Sequence, residues 1–369
     1  MVTENRNRND SARPLRVVAM GGGTGLSTLL KGLKRYVKPP GEVAPASGAG
    51  LIGELSAVVT VTDDGGSSGR LRREFNILPP GDIRNCIVAL SEDEALLSRL
   101  FQYRFPAGKG LEGHSFGNLF VAALTAVTGD FGQAVKLSSE VLATRGHIYP
   151  ATTANVVLEA LMADGSRVQG ETRITASTGR IVDLHMVPAD PQPLPQALEA
   201  IAQADLITIG PGSLFTSLVP NMLVHGVPEA IASSPAVKVF VCNLMTQSNE
   251  SLGLTAADHV QAIYKHTAGH RIFDYALLNH TPVSEALKAK YALEAAAQIV
   301  NDLDAVEQLG VRPIEGDYLD ETADVARHAT DRIARDLLAL AADRIPPGAP
   351  PSDRTRPDAV RRERVKIIQ

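Results

Sequence analysis

The sequence predicts an α/β fold: a Rossmann-like, mostly parallel sheet with helices on both faces and a small antiparallel accessory region. Apolar, β-branched runs alternate with segments of helical periodicity, which is the pattern of strand–helix–strand units. At least five of these runs end in clusters of Gly, Asp, Asn or Ser. Because ligands of open α/β sheets bind beyond the carboxyl ends of the strands, this recurrence indicates a ligand crevice there.

Composition narrows the class of protein. The chain has 369 residues, of which 44% are hydrophobic and 21% charged, so it can bury a large core. Its formal net charge is −5 and no long basic run precedes the far C-terminus, which argues against a nucleic-acid partner. Cys86 and Cys242 lie in apolar stretches, so we expect no disulfide and a reducing cytosol. Without an apolar signal region or membrane-length run, we expect no membrane contact and a cytoplasmic location.

The domain organisation follows from shifts in composition. We expect disorder in residues 1–14 and in residues 346–369, which are rich in Pro, Asp and Arg. A single Rossmann-like domain fills residues 15–345 between them. Inside it, residues 38–53 are rich in Gly, Ala and Pro and predict an insertion in a surface connection. An amphipathic C-terminal helix is predicted over residues 322–342.

The first strand and helix enclose a glycine-rich loop. An apolar strand at 15–20 leads into the sequence GGGTG at 21–25, and a helix is predicted from 24 to 36. The glycines allow a sharp turn and a close ligand approach, while the free N–H groups and dipole of the helix favour an anion such as a diphosphate. Leu26 replaces the third glycine of the usual dinucleotide motif. A glycine turn that only packs helix against strand is the alternative.

Two aspartates follow the second predicted strand, at 55–62. An acid at this position can hold a ribose or a metal ion. Asp63 lies 63 − 25 = 38 residues after Gly25, whereas the usual spacing is about 20 residues; the insertion accounts for most of the difference. Asp63 and Asp64 could instead only cap turns.

Two further polar clusters lie at predicted helix starts. Asp82 and Arg84 follow the sequence PPG at 79–81, where Asp82 could cap the helix and the Arg84 guanidinium could contact a phosphate. His114 opens another helix in the sequence GHSFGN at 113–118. Because it lies in a turn of small polar residues, a structural and a functional role of His114 are equally well supported.

The second half of the chain repeats the strand–loop–helix pattern. A hairpin is predicted around Asp164 and a strand at 181–187, which together form the antiparallel accessory region. A strand at 206–209 then leads into the sequence GPGSL at 210–214, which predicts a second anion or sugar site. The next strand, 237–241, ends at Asn243 in another polar loop.

Five motifs together resemble those of YvcK-type proteins, the gluconeogenesis factors of the CofD-like superfamily. In order they are GGGTGLS at 21–27, TDDGGSSGRLR at 62–72, PPGDIRNC at 79–86, GHSFGN at 113–118 and GPGSL at 210–214. The resemblance covers about residues 15–340, and several long motifs in register are more specific than any one glycine loop.

The resemblance implies a bacterial, cytoplasmic regulator that binds a UDP-sugar such as UDP-N-acetylglucosamine and is required for cell shape and wall synthesis on gluconeogenic carbon sources. It also implies protein partners in wall synthesis and is compatible with a homo-oligomer. YvcK-like chains carry an Arg-His pair near the C-terminal helix, matched here by Arg327 and His328. We expect Arg327 to contact phosphate and Tyr291 to stack on the base or sugar.

The predicted ligand contacts combine these observations. They are Gly22, Gly23, Thr24, Gly25, Leu26, Asp63, Asp64, Ser67, Ser68, Arg70, Asp82, Arg84, Asn85, His114, Ser115, Asn118, Gly210, Gly212, Ser213, Asn243, Tyr291 and Arg327. This interpretation assigns no catalytic residue and requires no cofactor or metal. One alternative is a CofD-like 2-phospho-lactate transferase, in which Asp63 and Asp64 would hold a divalent metal. Another is an NAD(P)-binding protein, since a diphosphate loop with an acidic ribose contact also accepts a dinucleotide.

Overall fold

A computed structural model of the chain describes residues 13–38, 51–92, 96–322 and 325–344. The predicted disordered tail lies outside these ranges, as does most of the N-terminal segment and of the insertion at 38–53. Two of the predicted boundaries shift: Ile52 already belongs to a strand, and the Arg13 guanidinium donates to the buried Asp205 carboxylate at 2.8 Å.

The described strands form one large and two small sheets. They are β1 (Leu15–Gly21), β2 (Ile52–Val59), β3 (His147–Pro150), β4 (Val157–Met162), β5 (Arg167–Gln169), β6 (Ile181–Val187), β7 (Leu206–Ile209), β8 (Val237–Val241), β9 (Tyr275–Asn279), β10 (Arg312–Gly316), β11 (Leu319–Glu321) and β12 (Ala326–His328). The large sheet has the order β10-β9-β8-β7-β1-β2-β3, and every neighbouring pair in it is parallel. The predicted fold class is therefore confirmed.

Helices connect these strands and cover the sheet. They are α1 (Gly23–Lys34), α2 (Gly66–Phe75), α3 (Gly81–Leu90), α4 (Leu97–Gln102), α5 (Phe116–Thr128), α6 (Phe131–Val141), α7 (Glu171–Ala176), α8 (Pro195–Gln203), α9 (Val219–Met222), α10 (Val227–Ser233), α11 (Ala256–Lys265), α12 (Glu285–Ala292), α13 (Leu303–Gln308) and α14 (Thr330–Arg344), with a π-helical turn at Leu214–Leu218.

Burial on both faces explains why the strands are continuously apolar. In β1, Val17 and Ala19 belong to a core cluster that also contains the leucines of α1, whereas Val18 and Met20 belong to the cluster on the opposite face. Alternate side chains of a strand point to opposite faces, so both sets must be apolar when helices cover the two sides.

The chain changes direction across the sheet between β1 and β7. From β1 it runs outward through β2 and β3, and it returns to the other side of β1 as β7 before continuing outward through β8, β9 and β10. The loops after β1 and β7 therefore leave the sheet toward opposite faces and open a crevice between them. In this fold class such a crossover is the usual ligand site.

The small sheets agree only in part with the sequence prediction. An antiparallel sheet of order β5-β4-β6 forms the predicted accessory region.

The prediction of a helix from residue 322 is wrong at its start, because α14 begins at Thr330 and Ala326–His328 pairs antiparallel with β11. His328 Nε2 lies 2.9 Å from the Cys242 carbonyl oxygen, a tertiary contact that holds this segment extended. Arg327 is thus a strand residue.

Two further expectations concern the cysteines and the lack of a membrane-length apolar run. Cys86 and Cys242 are free and buried, as predicted, and burial raises the pKa of the Cys242 thiol to about 12. Within the ranges described above, the structure contains no helix of the length and apolar character that crossing a membrane requires.

A polar contact joins the C-terminal helix to the short segment between β10 and β11. The buried Tyr318 donates its hydroxyl hydrogen to Asp336 Oδ2 at 2.7 Å. Tyr318→Phe should lower the free energy of unfolding by about 1–2 kcal/mol, because a partly buried carboxylate loses its donor. Urea denaturation measures this, with Tyr103→Phe as an exposed control. Equal stability of the two variants would contradict a role for the contact.

Candidate functional site

A cavity of about 620 Å³ opens at the carboxyl ends of β1, β7 and β8, at the crossover of the sheet. We call it the glycine-loop cavity, because the loops after β1 and β7 form its floor. The predicted residues that line it are Gly22, Gly23, Thr24, Gly25, Gly212, Ser213, Asn243 and Tyr291. The sequence predicted two anion sites from the two loops, whereas the structure places both loops around one cavity.

The two glycine loops touch at a point that admits no side chain. A Cβ on Gly25 would lie 2.3 Å from the Pro211 carbonyl oxygen, which is less than real Cβ contacts allow. The first turn of α1 has no acidic residue, and its N-cap residue, Gly22, has no side chain to cap it; of its first N–H groups, that of Gly23 donates to the Asp82 carboxylate. The N-terminus of α1 therefore faces the cavity with backbone N–H groups and a positive dipole, which suits an anion.

Asn243 fixes the second loop from the end of β8. Its Nδ2 donates to the Gly212 carbonyl oxygen at 2.7 Å, and its Oδ1 accepts from the Gly212 N–H at 3.1 Å. Gln247 Nε2 also donates to Ser213 Oγ at 3.0 Å. These contacts hold the loop without occupying the N-terminus of α1, so the cavity is shaped in advance of any ligand.

The far wall comes from the C-terminal part of the chain. Tyr291 lines the cavity from α12, and its hydroxyl accepts from the Ala326 N–H at 3.2 Å, which joins α12 to β12. His328 lines the same wall, whereas Arg327 is exposed and lies outside the lining. Burial lowers the pKa of His328 to about 4, so its ring is neutral at pH 7 and donates to the Cys242 carbonyl.

Two carboxylates complete the wall, and sequence reasoning missed both of them. Glu250 is buried and accepts from the Phe215 N–H at 3.0 Å and from Thr216 Oγ1 at 2.7 Å. Glu171 lines the cavity from the start of α7, and burial, with repulsion from Asp63 and other nearby acids, raises its pKa to about 9. Glu250 ends the polar loop that follows β8, from which only Asn243 was selected, whereas Glu171 lies outside every motif recognised in the sequence.

The other predicted polar residues form a separate group beside the glycine-loop cavity, which we call the polar cluster. Its members are Asp63, Asp64, Ser67, Ser68, Arg70, Asp82, Arg84, Asn85, His114, Ser115 and Asn118. Ser67 Oγ and His114 Nδ1 lie 2.9 Å apart, and Arg84 Nη1 donates to Ser115 Oγ at 2.8 Å. The cluster therefore joins the starts of α2, α3 and α5.

Several members of the polar cluster have structural partners. Asp63 Oδ1 accepts from the Gly65 N–H at 2.9 Å, so this residue does cap a turn. Asp64 Oδ1 accepts from both the N–H and the Oγ1 of Thr172, at 2.8 and 2.6 Å, and thereby holds the start of α7. Arg70 donates to the Glu112 carbonyl at 2.7 Å.

Asp82 connects the polar cluster to the first glycine loop. The N-cap of α3 is Pro80, so Asp82 does not cap the helix but lies in its first turn. A Cβ on Gly22 would lie 2.9 Å from Asp82 Oδ2. Burial raises the pKa of Asp82 to about 6, and the Asp63 charge adds to this, whereas the Gly23 N–H and Arg84 oppose it.

Besides Arg327, two predicted residues belong to neither the cavity lining nor the polar cluster. Leu26 is fully buried in the core under α1, so its side chain is a packing residue. Gly210 shapes the turn after β7: its φ is +87°, and a Cβ there would lie 2.6 Å from the Val241 carbonyl oxygen.

The transferase alternative requires that Asp63 and Asp64 hold a divalent metal. Among the described residues no group of three or more His, Cys, Asp or Glu side chains is arranged to hold a metal ion. Both Asp64 oxygens face the start of α7, since its Oδ2 would lie 2.6 Å from a Cβ on Gly170. Asp63 Oδ2 and Asp82 are the carboxylates left facing the cluster, so a metal would need further ligands from a substrate.

The open parallel sheet and the cavity at its crossover define a Rossmann-like protein with a cavity at the usual ligand position of this fold class. Residues 17–319 match the family model described as 2-phospho-L-lactate transferase CofD. Two proteins named gluconeogenesis factor are also similar to this chain. The one from Halalkalibacterium halodurans is 47% identical over 87% of this chain and 95% of its own length. The one from Bacillus subtilis is 45% identical over 88% of this chain and 98% of its own length.

A putative gluconeogenesis factor of Nostoc sp. is 48% identical over 88% of this chain and 68% of its own length. A crystal structure of a Bacillus halodurans protein superposes with a TM-score of 0.82 at 46% identity, covering 88% of this chain and 100% of that one. A second structure from that organism, described as a member of the UPF0052 family, gives the same TM-score at 45% identity. The chain therefore belongs to the YvcK-type gluconeogenesis factors of the CofD family.

The buried Asp82 predicts a pH-dependent stability. Because its pKa is raised in the folded state, the protonated form is favoured there, and stability is lost as the pH rises through about 6. Asp82→Asn should thus be more stable than the parent at pH 8, by on the order of 2 kcal/mol, and the difference should vanish near pH 4.

Urea denaturation at several pH values measures this difference, with Asp304→Asn as a control at an exposed helix position. A loss of stability in Asp82→Asn that is the same at pH 8 and pH 4 would mean that the ionised carboxylate is stabilised by its neighbours, which contradicts the assignment.

Proposed function

We propose that the chain binds UDP-N-acetylglucosamine in the glycine-loop cavity and acts as a metabolite-sensing regulator of gluconeogenic growth, cell shape and wall synthesis. The observation that carries the proposal is the start of α1 at Thr24 and Gly25, which lines a cavity enclosed by two glycine loops. Backbone N–H groups at such a helix start bind a diphosphate well. Kinship with proteins named gluconeogenesis factors supports the physiological role.

The rest of the cavity suits a nucleoside and a sugar. Its volume of about 620 Å³ lies within the range of about 300–1,000 Å³ typical of ligand sites. Tyr291 offers a ring for stacking, and Asn243, Gln247 and Ser213 offer amide and hydroxyl groups. Glu171 and Glu250 suit the hydroxyl groups of a sugar, with which carboxyl groups form hydrogen bonds.

A regulatory role is favoured over catalysis because three polar side chains of the cavity hold parts of the fold in place. Glu250 is bonded to the π-helical turn, His328 to a backbone carbonyl and Asn243 to Gly212. A catalytic base needs an uncommitted lone pair next to the reacting atom. Groups that fix a preformed cavity instead give selective binding.

The first test concerns the approach of the diphosphate to the backbone. Gly23 has φ +61°, and a Cβ there would meet only Ser217 Oγ, at 3.6 Å, while projecting into the cavity. In calorimetry, Gly23→Ala should weaken UDP-N-acetylglucosamine binding at least tenfold, or about 1.4 kcal/mol.

The matched control is Gly129→Ala, at the end of α5. Gly129 has φ +70° and no atom within 4 Å of its would-be Cβ, so it carries similar backbone strain outside the cavity. We expect its affinity to equal that of the parent chain. Equal loss in both variants would mean that backbone strain, and not contact with the ligand, determines the result.

A second test separates the two residues predicted at the C-terminal wall. Tyr291→Ala should reduce the thermal shift caused by UDP-N-acetylglucosamine, because the ring that lines the cavity is lost. Arg327→Ala should keep the full shift, because Arg327 is exposed outside the lining. A reduced shift in Arg327→Ala alone would restore the phosphate contact predicted from the sequence.

The transferase alternative is supported by the family model and by the polar cluster next to the first glycine loop. In that case Asp63 and Asp82 would need a divalent metal to hold a transferring phosphate. Binding of UDP-N-acetylglucosamine with and without EDTA, beside an assay of transfer to a deazaflavin acceptor, distinguishes the two. We expect unchanged binding in EDTA and no transfer; metal-dependent turnover would favour the transferase.

Competition by NAD in the same titration tests the dinucleotide alternative.

A further inference from the structure

A second cavity lies on the other side of the 248–250 segment from the glycine-loop cavity. Its volume is about 690 Å³, also within the usual range for small-molecule sites of about 300–1,000 Å³. Residues 178–182 at the start of β6, the loop at 248–254 and helix α11 provide most of its walls. These walls lie outside the five motifs that connect the chain to its family.

The inner surface of the second cavity is apolar and partly aromatic. Ile181 and Phe215 are buried members of the core, and Leu254, Ala262 and Tyr264 pack against that core while they line the cavity. A ligand in this position would therefore lie directly on the hydrophobic core. Such a lining suits an aromatic or aliphatic body and offers little to a sugar.

Three charged residues that line the second cavity already have partners within the chain. Asp258 accepts from the Thr255 N–H at 3.0 Å within the capping box of α11, and Glu250 accepts from the Phe215 N–H at 3.0 Å. Lys265 Nζ lies 3.3 Å from Asp183 Oδ2. Each of these charges is already used by the fold.

Arg180 is different from these residues. It is exposed at the rim of the second cavity, and its guanidinium makes no ion pair or hydrogen bond with any part of the chain that the structure describes. A guanidinium presents a planar fork of donors that matches a carboxylate, phosphate or sulfonate. The rim therefore offers a binding group for an anion next to an apolar interior.

We propose that the second cavity binds a small organic anion with an aromatic or aliphatic body. The body packs against Phe215 and Tyr264, and the anionic group pairs with Arg180. Ser248, Asn249 and Glu250 line both cavities, and Glu250 holds the first residues of the π-helical turn. An occupant consequently also restrains residues 214–218, which form part of the wall of the glycine-loop cavity.

The binding test uses 8-anilinonaphthalene-1-sulfonate, an aromatic anion whose fluorescence rises in apolar surroundings. We expect one dye molecule bound per chain. Ala262→Phe fills the apolar interior and should lower the affinity at least tenfold, and Arg180→Glu reverses the rim charge and should lower it by about tenfold. Arg335→Glu makes the same charge change on the exposed face of α14 and should leave the affinity unchanged.

If Ala262→Phe folds poorly, Arg180→Glu and Arg335→Glu still test the site, because both arginines are exposed and their substitution leaves the core unchanged. The same dye affinity in Ala262→Phe, Arg180→Glu and the parent chain would place the dye on another surface and overturn the proposal. A loss in Arg335→Glu equal to that in Arg180→Glu would show a general charge effect and would also overturn it.

Hydrogen exchange tests the restraint of the shared wall. The dye should slow amide exchange in residues 214–218 and 248–254 of the parent chain and have no such effect in Ala262→Phe. Slower exchange at 248–254 without any change at 214–218 would contradict the restraint. Neither measurement uses a nucleotide, so the second cavity can be confirmed or rejected whether or not UDP-N-acetylglucosamine binds.

Discussion

The site depends on the close contact between two glycine loops at the crossover of the sheet. A single carbonyl, that of Pro211, lies where any side chain at position 25 would have to be. This contact brings the N-terminus of α1 and the turn after β7 to one cavity, and Asn243 locks the second loop from the next strand. Without this approach the two loops would be separate turns, and the helix start would face open solvent.

Around that contact the chain divides its polar groups into two sets. One set lines the glycine-loop cavity and is largely committed to holding loops in place. The other, the polar cluster, is partly buried and lies beside the first glycine loop, where Asp82 has a raised pKa. Glu171 lies between the two sets and is influenced by the charges of both.

The sequence was a good guide where local chemistry decides the structure. Glycine loops, apolar strands and the Asp164 hairpin depend on near neighbours in the chain, and these predictions are confirmed. It failed where distant contacts decide. Arg327 was assigned to a helix because periodicity continues through it, but pairing with β11 makes the segment a strand. Glu171 reaches the cavity from a segment without any motif, and Glu250 from the polar loop after β8, of which only Asn243 was selected. Leu26 is a motif residue, but its side chain packs in the core.

A crystal structure of the chain with UDP-N-acetylglucosamine tests most directly whether the two glycine loops form the ligand site. We expect the diphosphate at the backbone N–H groups of Thr24 and Gly25, beside the 210–213 loop, with the uridine or the sugar against Tyr291. A diphosphate bound instead among Asp82, Arg84 and His114, or a glycine-loop cavity that stays empty at saturating ligand, would contradict it.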